Sequence, residues 1–151
     1  MGTNQYGLVV IRAETVESRR YTTDDGLPSN VIRDVLPEYC PKACQYRNVW
    51  VATDAGVAHW DGAQWKAYTT ADGLPSADVR GVTWGADGKT LWAATAKGAA
   101  YLDRQVWLAY TAADGLPEED LTGATLYQGA TVAFGTRGKG LLIFTAAGRQ
   151  P

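Results

Sequence analysis

The stretch Tyr21-Thr22-Thr23-Asp24-Asp25-Gly26-Leu27-Pro28 returns as Tyr68-Thr69-Thr70-Ala71-Asp72-Gly73-Leu74-Pro75 and again as Tyr110-Thr111-Ala112-Ala113-Asp114-Gly115-Leu116-Pro117. Gly26 and Gly73 lie 47 residues apart, Gly73 and Gly115 lie 42 apart. Eight aligned positions recurring three times define an internal repeat, the strongest organising signal a sequence can carry. A second marker keeps step: Val49-Trp50-Val51-Ala52-Thr53 matches Leu91-Trp92-Ala93-Ala94-Thr95 and, more weakly, Val132-Ala133-Phe134-Gly135-Thr136. Thr53 to Thr95 spans 42 residues and Thr95 to Thr136 spans 41, so the extra length of the first repeat lies before Trp50, around Cys40 to Tyr46.

Each Thr-ending segment is followed by a Gly and an apolar run: Gly56-Val57-Ala58-His59-Trp60, Gly98-Ala99-Ala100-Tyr101-Leu102 and Gly140-Leu141-Leu142-Ile143-Phe144. Gly7-Leu8-Val9-Val10-Ile11 is a fourth copy of that run. Asp61-Gly62 and Asp87-Gly88 are hairpin signals, because Asp-Gly suits the positive φ angles of tight turns. Four short strands in roughly 42 residues is the pattern of one β-propeller blade. Labelled outward from the axis, strand a holds Ile32, Val79 and Leu121, strand b the Trp-x-x-Thr motif, and strand c follows the Gly. Strand d carries Trp65 to Tyr68 and Trp107 to Tyr110. The expected fold is all-β: a propeller of four-stranded antiparallel blades, about three per chain. The 151 residues read as a single repeat domain, with repeats near 7–53, 56–95 and 98–136 and a partial strand over 140–151.

Composition agrees with short strands and tight turns. Hydrophobic residues make up 46%, charged residues 20% and aromatics 11%, with 17 Gly; such a chain is globular and favours sheet over long helices. A net charge of −2 gives no electrostatic footprint for nucleic acid or an anionic membrane. Apolar runs such as Gly7 to Ile11 are far too short to span a bilayer. Met1 is not followed by a basic and then apolar leader, so no signal peptide is expected within these residues.

Asp-Gly-Leu-Pro-Ser, a Trp-x-x-Thr strand, then Gly-Val and an aromatic before Asp-Gly resemble the two-component regulator propeller repeat. The resemblance covers nearly the whole chain and is most specific in the first two copies. It implies blades of the kind found in extracytoplasmic sensor regions of bacterial hybrid histidine kinases, and hence an extracytoplasmic, periplasmic setting. The third repeat departs from the pattern, with Ala133 in place of Trp and Glu118-Glu119 after the Pro. It reads as a terminal or interface-adapted blade.

The recurring motifs first have structural explanations. Gly26, Gly73 and Gly115 supply a left-handed backbone angle and the following Pro stiffens the exit. Asp25, Asp72 and Asp114 are expected to accept backbone N–H bonds within the turn. A calcium site would need equivalent loops to converge, and blade rotation keeps them apart. Leu27, Leu74 and Leu116 are expected to tuck between blades, and Trp50, Trp92, Trp65 and Trp107 to pack between them. Trp84 is the aromatic the repeat does not demand, its counterparts being Pro37 and Leu126; it is a candidate binding surface as well as a packing residue.

Candidate ligand-binding residues follow from strand a, which lines the channel of a propeller. Arg33 and Arg80 occupy equivalent positions, with Thr122 the third member. They either present guanidinium groups to an anionic ligand or partner, or form ion pairs with Asp34, Asp78 or Asp120. Lys97, Arg137 and Lys139 belong to b–c turns and read as solvated; Lys97 joins Arg33, Arg80, Asp78, Asp120, Thr122 and Trp84 as a candidate. Cys40 and Cys44 are the only cysteines, and the implied extracytoplasmic setting favours a disulfide between them. So short a ring would contribute about 2 kcal/mol. A zinc site would need two further ligands against the single histidine, His59, so no metal and no cofactor is expected.

No Gly-x-Ser-x-Gly, phosphate loop or His-Glu-x-x-His is present, and no catalytic residue is assigned. The expected function is a non-enzymatic module for ligand sensing or protein interaction, with a small molecule, glycan or peptide as ligand. A propeller-type glycan lyase or hydrolase, and a purely structural blade array or fragment of a longer sensor propeller, are the alternatives. The chain opens with strands c and d and ends after a, b and c. Complementary halves of this kind predict that two copies join head to tail into about six blades, as a homodimer formed by ring completion. One detail resists a simple swap: Gly7 to Ile11 and Gly140 to Phe144 both read as strand c, so one of them is surplus.

Overall fold

The computed structural model describes residues 5–12, 17–38, 48–85, 87–117, 119–127 and 131–145. Among the described residues thirteen strands follow one another, with three short 3-10 turns between them. They are β1 (Leu8–Arg12), β2 (Glu17–Tyr21), β3 (Ile32–Pro37), β4 (Val49–Thr53), β5 (Gly56–Trp60), β6 (Trp65–Tyr68) and β7 (Val79–Trp84), then β8 (Leu91–Thr95), β9 (Gly98–Asp103), β10 (Val106–Tyr110), β11 (Leu121–Leu126), β12 (Thr131–Thr136) and β13 (Leu141–Thr145). They form four separate antiparallel sheets: the hairpin β1-β2, the complete sheets β3-β4-β5-β6 and β7-β8-β9-β10, and the three-stranded β11-β12-β13. This is the architecture expected of propeller blades, each strand pairing with its sequence neighbour.

Local chemistry explains the punctuation. Thr22, Thr69 and Thr111 each start a 3-10 turn that ends at a left-handed glycine, Gly26, Gly73 or Gly115. The acidic residue of each turn reaches back: Thr22 N–H donates to Asp25 Oδ2 at 2.9 Å, Thr69 N–H to Asp72 Oδ2 at 2.8 Å and Thr111 N–H to Asp114 Oδ2 at 3.1 Å. Asp61 and Asp87 work similarly in the hairpins, each carboxylate accepting amide N–H groups two and three residues on. Strand b ends on Thr53, Thr95 and Thr136, whose hydroxyls donate to the carbonyls of Gly56, Gly98 and Gly140 across the b–c turn at 2.7–2.8 Å.

Apolar residues pack in three layers, one at each junction between consecutive sheets. Leu8 and Leu27 meet Ile32, Val51 and Ala58 between the hairpin and the first complete sheet. Trp50, Val57, Tyr68 and Leu74 meet Val79, Val82, Leu91 and Trp107 between the two complete sheets. Trp92, Ala99 and Leu116 meet Leu121, Val132 and Phe134 between the second and third. The leucine of each Asp-Gly-Leu-Pro turn is thus an inter-sheet wedge, no more than 4% exposed in any copy. Burying so large an apolar side chain stabilises by about 1.5–3 kcal/mol, which makes these leucines as structural as the tryptophans beside them.

Candidate functional site

Each complete sheet and the third sheet carry a bulge at the start of the innermost strand. Register shifts between Ile32 and Asp34, between Val79 and Gly81, and between Leu121 and Gly123. Arg33, Arg80 and Thr122 are therefore the extra residues of three equivalent bulges. A bulge re-aims its side chain out of the sheet's normal alternation, and here it turns the arginines along the edge toward the following sheet.

A ladder of alternating charge results. Arg33 Nη2 lies 3.5 Å from Asp78 Oδ1, and Asp78 Oδ2 lies 3.1 Å from Arg80 Nε. Arg80 Nη1 bonds Asp120 in the next sheet and donates to the Leu121 carbonyl at 2.9 Å. Asp120 then receives Arg137 Nε at 2.9 Å from the β12–β13 turn. The step repeats by construction, because the arginine of one sheet reaches the aspartate preceding the innermost strand of the next. Asp34 adds a further tie across sheets, accepting the Val82 N–H at 3.0 Å.

The charges shape one another. Burial opposes the Arg80 cation more than any other single influence, yet its bonds to Asp120 and Asp78 outweigh that and raise its pKa. The Arg80 guanidinium in turn holds the Asp120 carboxyl below the usual carboxylate value, with Arg137 adding to the effect. Asp120 is thus tuned to stay ionised, the opposite of what a general acid requires.

Of the residues singled out from sequence, Arg33, Arg80, Asp78 and Asp120 come together in this ladder. Thr122 occupies the third bulge and is exposed. Lys97 is exposed on the β8–β9 turn, its amide donating to Thr95 Oγ1 at 3.1 Å. Trp84 is not with them: it ends β7, at the far end of the strand from Arg80, where its indole N–H donates to the Pro37 carbonyl at 3.2 Å and its ring packs on the layer between the two complete sheets. Arg137, read from sequence as solvated, is 66% exposed and also forms the last rung of the ladder. The signal that could have found it was the alignment of the β12–β13 turn with the loop carrying Asp120. Cys40 and Cys44 lie outside the described residues.

A second polar cluster escaped sequence reading altogether. Glu38 Oε1 accepts the Trp50 indole N–H at 2.9 Å and lies 3.0 Å from His59 Nε2, while Glu38 Oε2 accepts the Asn48 side-chain amide at 2.8 Å. His59 stacks on Trp50 with ring centroids 4.1 Å apart. Glu38 and Asn48 flank the extra length of the first repeat, so this carboxylate pins the stem of that insertion to strands b and c. Nothing equivalent exists in the other repeats, whose corresponding residues are Gly85 and Tyr127, and a self-comparison therefore passes over it. Among the described residues no cluster of three or more His, Cys, Asp or Glu side chains is placed to hold a metal ion.

Comparison with known proteins bears on the fold. No family model matches the chain, and no curated protein matches it in sequence. The extracellular domain assigned to a hybrid two-component system of B. thetaiotaomicron superposes with a TM-score of 0.75 at 21% identity, over 97% of this chain and 20% of that one. A second extracellular domain from the same organism, described both as a hybrid two-component and as a one-component system, superposes with a TM-score of 0.51 at 13% identity, over 94% of this chain and 25% of that one. The chain thus spans about a fifth to a quarter of the length of these neighbours. At such identities the likeness establishes a shared blade architecture.

Proposed function

We propose that this chain is a non-enzymatic β-propeller module for ligand sensing or protein interaction, working outside the cytoplasm. It binds at the rim formed by the d–a and b–c loops. The observation that carries this reading is the ladder Arg33–Asp78–Arg80–Asp120–Arg137, which ties three sheets into one charged edge with exposed cations at both ends. A small anionic molecule, an acidic glycan or an acidic peptide end suits such an edge. The pairing of Asp78 and Asp120 with arginines supports binding over acid–base chemistry, and the depressed pKa of Asp120 favours its ionised form. The fold's likeness to extracellular domains of two-component systems supports the sensing role and the extracytoplasmic setting, and no helix among the described residues is long and apolar enough to cross a membrane. Two copies are proposed to assemble, each completing the other's unfinished sheet, into a ring of about six blades.

Thermal-shift and calorimetric screening of glycans, peptides and small anions tests the binding role. A ligand that raises the melting temperature of the parent chain and not of Arg33→Ala or Arg137→Ala supports it. Turnover of a glycan, lost in Asp78→Asn or Asp120→Asn, would replace the binding reading with an enzymatic one.

A further inference from the structure

Equivalent glycines of the repeat have unequal surroundings. A Cβ on Gly7, Gly56 or Gly98, each opening a strand c, would lie 2.1, 2.2 or 2.6 Å from the carbonyl oxygen of Tyr21, Tyr68 or Tyr110, the last residue of strand d beside it. Gly140 opens β13 with the same positive φ, +81° against +80° at Gly7, yet nothing among the described residues comes within 4 Å of that position. The turn glycines repeat the contrast. A Cβ on Gly26 would meet Trp65 Cβ at 3.3 Å and one on Gly73 the Trp107 carbonyl at 2.0 Å, the first and second residues of the strand d of the following sheet, while Gly115 again has nothing described within 4 Å. Gly140 in the third sheet and Gly115 in the turn leading to it thus have the room that a strand d fills at their counterparts.

On the two-copy assembly proposed above, we infer that β2 of a second copy seats along the outer edge of β13, taking the register it now shares with β1. That register pairs Leu8 with Tyr21, Val9 with Arg20, Val10 with Arg19 and Ile11 with Ser18. Its transposed form pairs Leu141 with Tyr21, Leu142 with Arg20, Ile143 with Arg19 and Phe144 with Ser18 of the second copy. The Tyr21 carbonyl of that copy then fills the space over Gly140.

This assignment also resolves which strand c is surplus. Leu8 is 2% exposed, but Val10 and Ile11 are 41% and 58% exposed, so β1 is held by one apolar anchor. β13 is held by Leu142 and Phe144, the latter ring 4.9 Å from Tyr110 and 5.4 Å from Trp92. Its other face is open, with Leu141 61% and Ile143 49% exposed. Exchanging β1 for β13 puts Leu141 and Ile143 in the places of Leu8 and Val10; exchanging β13 for β1 would unpack Phe144. The rim fits as well. Each ladder step sets an arginine at the bulge against an aspartate in the next sheet. At the new junction Thr122 holds the arginine position and Val31 of the second copy the aspartate position, so no charge is left unpaired.

Sedimentation and disulfide mapping test the inference. The parent chain is expected to sediment at twice 16.2 kDa, and removal of residues 1–12 is expected to preserve the dimeric state or strengthen it. Leu141→Asp, at a site exposed in the single chain, is expected to give a folded monomer by circular dichroism. In an Arg19→Cys/Ile143→Cys chain, mild oxidation should give a dimer whose linked peptide joins position 19 of one copy to 143 of the other. A monomer at every soluble concentration overturns the assembly while leaving ligand binding at the rim standing. A dimer that lacks the 19–143 link, or that is lost on removing residues 1–12, overturns the strand assignment while leaving two-copy assembly standing.

Discussion

The sheets β7-β8-β9-β10 and β11-β12-β13 are built from the same repeat and end in different states. Ala99 in the first is 1% exposed, whereas Leu141 at the equivalent place in the second is 61% exposed. Nothing in the strands themselves distinguishes these positions. What differs is a neighbour: the middle sheet is packed on both faces and the third, among the described residues, on one. Stability in such an array is a sum over nearest-neighbour interfaces, so identical substitutions in the two sheets should have unequal effects.

The largest difference is expected at the aromatic layer. Trp107 is 1% exposed and packs edge-on to Trp50 and Tyr68 across the junction of the two complete sheets. Its indole N–H has no partner among the described residues, so its truncation orphans no acceptor and the loss is one of packing. Trp107→Ala should cost about 3–5 kcal/mol in urea unfolding, the range for large aromatics in cores. Leu141→Ala, on the open side, should stay within about 0.5 kcal/mol at dilutions where the chain is monomeric. Comparable losses for the two would mean that the third sheet is covered as fully as the second.

Next come the turn glycines, Gly73 and Gly115, both left-handed at φ +101° and +95°. Alanine at either place carries the left-handed strain of about 1–2 kcal/mol. At Gly73 it also collides with the Trp107 backbone, which cannot swing aside as a flexible side chain would. Gly73→Ala should therefore be clearly the more destabilising in chemical denaturation at dilutions where the chain is monomeric. If the two were equal, the close approach of the turn to β10 would not exist in solution.

How much of this was legible in the sequence follows the same division. Strand order, the strand-d tryptophans and the wedge leucines Leu27, Leu74 and Leu116 were readable because each recurs at a fixed period, and a repeated residue reports a repeated environment. The ladder was half-readable. Arg33 and Arg80 align, but whether a guanidinium faces a ligand or a carboxylate depends on the bulge that re-aims it, and a bulge leaves no mark in the spacing of apolar residues. Arg137 is as solvated as its sequence position implied, but its pairing with Asp120 was not legible, because that aspartate lies in a different loop, brought near only by sheet stacking. Glu38 was invisible for the opposite reason: it belongs to the one segment without a counterpart, so comparison among repeats had nothing to hold it against.

Smaller effects separate the two ends of the ladder. The Arg80 side chain is 16% exposed and engages Asp78, Asp120 and the Leu121 carbonyl, whereas Arg33 is 43% exposed with one contact at 3.5 Å. Arg80→Met should cost about 1.5–3 kcal/mol, the range for hydrogen bonds to charged groups. Arg33→Met should cost less than about 1 kcal/mol, as exposed ion pairs do. Raising salt should shrink the Arg33 effect more than that of Arg80, because screening acts mainly on exposed pairs.

The most delicate measurement is the titration of Asp120. Arg80, and after it Arg137, depress its carboxyl in the folded chain, while in the unfolded chain it titrates near the ordinary aspartate value of about 3.9. A depressed folded value means the ionised carboxylate favours folding. That contribution is fully present above pH ~4 and is lost as pH falls through the lower folded midpoint. Carboxyl NMR of the parent chain should thus place the Asp120 midpoint below about 3.9, and Arg80→Met should move it upward. The acid limb of the stability curve should flatten in the same variant, because a carboxyl with equal folded and unfolded midpoints makes stability insensitive to its protonation. An unmoved midpoint would show that the third sheet is not joined to the second through this pair, and the ladder would then end at Arg80.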